Sequence, residues 1–147
     1  MSGNAAVLLE GIRVILRTFT VDETRYPAAE GRIKYNGRDF AALHYIEHHP
    51  GCKGISLARH LGVAPTTAQS VCERLIRQGL ISRSDSPESD RAVAYGLTAE
   101  GDEVTRAIRR QDLANCTRML QALPAAQRSQ FAAQVAAIAE ALDSEAD

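Results

Sequence analysis

Residues 57–81 read LARHLGVAPTTAQSVCERLIRQGLI. Two short apolar rhythms flank Leu61-Gly62-Val63, and the second begins with Pro65 and a run of small polar side chains. Glycine ends a helix readily because it adopts left-handed backbone at no steric cost. Proline suits the first turn of the next helix, where its missing N–H leaves no bond unmade. The stretch therefore predicts a short helix over 56–61, a turn on Gly62, and a second helix from Pro65 to Gln78 with Gly79 just past its end. Two short helices joined by a glycine-containing turn form a helix-turn-helix. On the second helix Ala68, Val71, Cys72 and Leu75 share one face and pack inward, leaving Thr66, Thr67, Gln69, Ser70 and Arg74 for the outside.

Outward from this centre, the apolar residues of 5–19 recur at helical spacing, and 20–36, with Pro27, Gly31 and Asn36-Gly37, reads mostly as loop. Arg38 to His49 is helical, with Phe40, Leu43 and Ile46 on a core stripe, and Pro50-Gly51 stops it. After Gly79 the period changes: 80–83 and 92–97 read as short strands around the turn-forming SDSPESD, a β-hairpin with a long tip. Thr98 is placed to cap a helix running towards Pro124, and a last helix extends from Ala125 to about Ala141. The expected fold is mainly α with a small β-wing, in one domain over 1–147. Its centre, about 36–98, is a winged helix-turn-helix.

Such a unit lays its second helix in the major groove of DNA with the N-terminal residues on the base edges. The candidate contacts are Pro65, Thr66, Thr67, Gln69, Ser70 and Arg74 on that helix and Arg91 on the wing. Gln69 has the amide geometry to pair with an adenine edge, the threonine methyls can touch thymine, and Arg91 suits a narrow flanking minor groove. The chain's net charge of −1 is unevenly spread: 32–83 holds eight basic and three acidic residues, whereas 98–147 holds five and eight. A basic middle suits a protein that meets a polyanion there. No GxGxxG, P-loop, HExxH or GxSxG motif occurs, so no enzyme is expected, nor any cofactor. No apolar run is long enough to span a membrane, no signal peptide is evident, and three cysteines at 52, 72 and 116 lack metal-like spacing. A reduced, cytoplasmic protein is expected.

The segments LARHLGV, TTAQSVCERLIRQGLI and SPESDRAVAYGLTAEG, with the run GLI…R…PE…RAV…LT.EG, resemble the MarR family of transcriptional regulators. The order of elements matches over nearly the whole chain. The resemblance implies a homodimer held by helices at about 5–20 and 99–143, bound to a pseudo-palindromic operator in double-stranded DNA. It also implies a repressor that answers to a small aromatic effector. For such an effector Arg13, Arg17, Tyr35, Phe40, His44 and Tyr45 are candidates, although ordinary packing explains them equally well. Two departures stand out. Ser89 replaces the aspartate of the family's Asp-x-Arg wing motif, and Pro65, Thr66 and Ser70 stand where relatives often carry arginine or lysine. Binding is therefore expected to rest on dimer avidity and wing contacts more than on a charged base reader.

Some relatives sense zinc or peroxide. Here His44 and His48 are four apart, but no cysteine or carboxylate joins them on that face, and no metal site is expected. Cys72 falls on the inward face as a small core residue. The alternative to a DNA-binding regulator is a winged helix that binds a protein partner, which would lack a salt-steep affinity for duplex DNA.

Overall fold

The computed structural model describes residues 3–19, 37–85 and 93–146. In chain order its elements are α1 (Gly3–Thr18), α2 (Gly37–His48), β1 (Cys52–Lys53), α3 (Gly54–Leu61), α4 (Pro65–Arg77), β2 (Ile81–Asp85), β3 (Val93–Leu97), α5 (Ala99–Gln121) and α6 (Ala125–Ala146). Tyr35, Ser89, Asp90 and Arg91 lie outside the described residues. The expected class, mainly α with a small β-wing, is the one observed. The chain divides into two compact units, Met1–Gln111 and Asp112–Asp147, with the boundary inside α5.

The first unit is built on the core that the apolar periodicity predicts. Leu43 and Ile46 of α2, Leu57 of α3, Val71, Cys72 and Leu75 of α4, and Leu80 and Val104 are all essentially inaccessible to solvent. The joints fall on glycines. Gly51 after α2, Gly62 after α3 and Gly79 after α4 all have positive φ, at 82°, 68° and 76°. At Gly62 the backbone N–H reaches back to the carbonyls of Ala58 and Arg59, which closes α3 and frees the chain to turn.

The wing is larger than its sequence suggests. β2 and β3 pair antiparallel from Ile81↔Leu97 to Asp85↔Val93, so polar Ser84 and Asp85 continue a strand expected to end at residue 83. A third strand, β1, pairs with β3 through Cys52↔Tyr95 and Lys53↔Ala94, giving the order β1-β3-β2. A two-residue strand has no alternation to reveal it. Helix α3 begins at Gly54 rather than Ser56, and α6 continues to Ala146.

The motif GLI…LT.EG has a mechanical reading. The Thr98 hydroxyl donates to the Gly79 carbonyl at 2.6 Å, and the Thr98 N–H donates to the Leu80 carbonyl at 3.1 Å. The Gly101 N–H in turn donates to Thr98 Oγ1 at 3.0 Å, the expected N-cap of α5. A Cβ at Gly101 would lie 1.9 Å from the Leu80 oxygen, so only glycine permits this approach. The exit of α4 is thereby tied to the start of α5.

In the second unit the end of α5 turns into α6 through Leu120–Pro124. The Leu123 N–H donates to the Leu120 carbonyl at 3.0 Å, and Arg128 Nε donates to the Leu123 carbonyl at 3.1 Å. The face of α6 expected from sequence is present, with Val135, Ile138 and Leu142 exposed at 47, 57 and 60 %. None of the described side chains of α6 is buried.

Candidate nucleic-acid interface

Helix α4 is held by its inward face and open on the other. Ala68, Val71, Cys72 and Leu75 are buried, as the 3.6-residue period requires. Pro65, Thr66, Gln69 and Ser70 are exposed, and Thr67 is half-buried. The Ser70 hydroxyl donates to the Thr66 carbonyl at 3.1 Å, and Gln69 Nε2 donates to Glu73 Oε1 at 3.2 Å. The helix starts at Ala64 in extended conformation with no side-chain cap. Amide groups at such a terminus suit an anion such as a phosphate.

Arg74 corrects the expectation for the outer face. Its guanidinium turns to α2 and forms a two-pronged contact with Asp39, Nε to Oδ2 at 3.1 Å and NH2 to Oδ1. The Asp39 side chain is 1 % exposed and that of Arg74 31 %. Residue 74 lies at the edge of the buried stripe, and a carboxylate excluded from water requires a charged partner. Hydrogen bonding to Asp39 also raises the guanidinium's pKa above its ordinary value. Arg74 is therefore occupied in orienting α4 against α2.

Two basic residues absent from the sequence-based set border the same face. Lys53 of β1 and Arg83 of β2 line a groove of about 380 Å³ with Ile55, Pro65, Gln69 and Tyr95. They are thirty positions apart in sequence and meet because β1 and β2 both pair with β3. Their only sequence signal was membership of the basic middle. A concave strip with two cations beside an uncapped helix start fits the backbone of a polyanion.

The thiols of this unit are insulated. Cys72 is fully buried, and burial pushes its pKa up to about 11 even though the Tyr95 hydroxyl, hydrogen-bonded to it, acts in the opposite direction. Cys52 is half-buried and burial raises its pKa as well. Reaction with oxidants or alkylating agents needs the thiolate, which neither position favours.

The expected effector residues divide. Phe40 and Tyr45 pack against the core, and Tyr45 is flanked by the rings of His49 at 4.1 Å and His60 at 4.6 Å. Both are partly buried beside the core stripe of α2. His44 is exposed with its ring 4.4 Å from that of His48. Arg13 is exposed and paired with Glu10 at 3.8 Å, and Arg17 is exposed near the end of α1. Among the described residues no group of three or more His, Cys, Asp or Glu side chains is arranged to hold a metal ion. Among them, too, no helix is long and apolar enough to cross a membrane.

Residues 36–93 match the sequence model of the MarR family. The fold resembles that of RV1404 from Mycobacterium tuberculosis, with a TM-score of 0.76 and 24 % identity over 93 % of this chain and 90 % of that one. FabT from Streptococcus pneumoniae, solved in complex with DNA, gives 0.75 and 17 % over 95 % and 98 %. The PcaV transcriptional regulator from Streptomyces coelicolor, solved in complex with its natural ligand, gives 0.61 and 22 % over 95 % and 91 %. No curated protein sequence matches the chain. The family match is thus confined to residues 36–93, while over nearly the whole chain the fold is similar to those of solved transcriptional regulators such as MarR and SlyA.

Proposed function

We propose that this protein is a homodimeric, sequence-specific DNA-binding regulator of transcription, acting in the cytoplasm as a repressor. The observation that carries the reading is the outer face of α4. A helix anchored by four buried residues and bordered by a basic groove presents Pro65, Thr66, Gln69 and Ser70 to solvent. Small side chains let the backbone approach a groove floor, and Gln69 carries the amide that suits adenine. Lys53, Arg83 and the wing residue Arg91 supply phosphate and minor-groove contacts. The likeness to FabT bound to DNA supports the same reading.

Apolar surface left open supports dimerisation. Val7, Leu8 and Leu16 of α1, and Val135, Ile138 and Leu142 of α6, are exposed in the single chain, and surface of this kind marks a protein contact. A second copy satisfies the symmetry of a pseudo-palindromic operator with half-sites about one helical turn apart. The dimer contact is assigned to the helices at about 5–20 and 99–143. An aromatic acid that binds the two DNA-binding states with different affinity would relieve repression. Arg13, Arg17 and His44 are the polar side chains offered to it, and the ligand in the PcaV structure favours such a response.

The test is a shift assay on the duplex upstream of the protein's own gene, at two salt concentrations with excess competitor DNA. Competitor-resistant binding that weakens steeply with salt is expected. Salt-insensitive behaviour, with no retention of any duplex, would favour the protein-binding alternative.

A further inference from the structure

We propose that Glu73 is a second base reader, selecting cytosine or adenine about two base-pair steps along the major groove from the base met by Gln69. The inference rests on the DNA-binding reading above and assigns specificity within that face.

The withdrawal of Arg74 is the starting point. Helix α4 carries three charged residues, Glu73, Arg74 and Arg77. With Arg74 bound to Asp39 and Arg77 at the last position, the charge on the outer face of the middle turns is a carboxylate. A carboxylate facing a polyanion lowers affinity for every sequence, so its contribution there is discrimination.

The carboxylate is also oriented. Gln69 and Glu73 are both exposed, sit four residues apart on one face, and are joined by a 3.2 Å hydrogen bond. An ionised carboxylate only accepts, so the Gln69 amide must present its NH2 group to it. That requirement settles the amide rotation on chemical grounds. The Gln69 carbonyl oxygen, one remaining N–H, and the second Glu73 oxygen are left for a partner. Four residues of helix advance about 6 Å. That distance corresponds to about two base-pair steps of about 3.4 Å.

Major-groove edges then decide the preference. Cytosine N4 and adenine N6 are the amino donors of that groove, whereas guanine and thymine offer acceptor oxygens. An acceptor-only group is attracted to the first pair and repelled by the second. Glu73 therefore favours an amino-bearing base on the strand it faces, and Gln69 keeps the mixed donor and acceptor pattern suited to adenine.

The experiment is enrichment of randomised duplexes by wild-type protein, Glu73→Ala and Gln69→Ala, with thermal melting to confirm that all three fold. The wild type should enrich a motif with one position per half-site where cytosine or adenine exceeds guanine or thymine by roughly tenfold. Glu73→Ala should flatten that position alone and bind all duplexes more tightly at low salt. Gln69→Ala should flatten a different position, about two base-pair steps away. A wild-type motif that survives Glu73→Ala unchanged, or that prefers guanine at the position Glu73→Ala alters, overturns the assignment. A folded wild type that enriches no motif removes the DNA reading itself, and the inference with it.

Discussion

Helices α4 and α6 both carry apolar residues at helical spacing, but they use them differently. The 13 residues of α4 bury Ala68, Val71, Cys72 and Leu75 within their own unit. The 22 residues of α6 leave Val135, Ile138 and Leu142 exposed. A helix whose apolar face is already covered offers its polar face to a polar partner. A helix whose apolar face is open calls for an apolar one. The contrast supports the proposal that α4 meets DNA and α6 a second copy of the chain.

Substitutions can break this contrast at either helix. The largest effect is expected at Arg74→Ala, which leaves Asp39 buried without its partner and costs about 3–5 kcal/mol in chemical unfolding. Replacing both partners, with Asp39→Leu and Arg74→Met, should recover most of that loss. If the single variant unfolds like the wild type, the pair does not hold α4. Leu75→Ala, at a fully buried position, should cost about 2–5 kcal/mol in the same measurement. Thr98→Ala removes the cap of α5 and its bond to Gly79, for about 1 kcal/mol. Ile138→Asp should change the folding of the isolated chain least, by about 0.5 kcal/mol or below. Sedimentation should nevertheless show its mass falling from dimer to monomer. A variant that remains dimeric would place the contact elsewhere.

Much of the first unit was legible because its signals are local. Gly62, Pro65 and Gly79 punctuate the chain, and Thr98 caps α5, each through chemistry confined to one turn. The α4 core face follows from period alone. What escaped depends on partners distant in sequence. Arg74 reads as a surface residue until Asp39, 35 positions away, is brought beside it. Lys53 and Arg83 become neighbours only when β1 and β2 flank β3. The requirement for glycine at 101 likewise comes from the Leu80 carbonyl on another segment. For α6 the period showed an apolar face without showing what covers it.

The measurement that bears most directly on the central claim compares wild-type protein with Gln69→Ala on an enriched operator and on unrelated duplex DNA, at two salt concentrations. Loss of affinity for the operator by roughly tenfold, with affinity for unrelated DNA and the salt slope unchanged, is the predicted result. Equal loss on both duplexes, or none on either, would show that the outer face of α4 does not read bases.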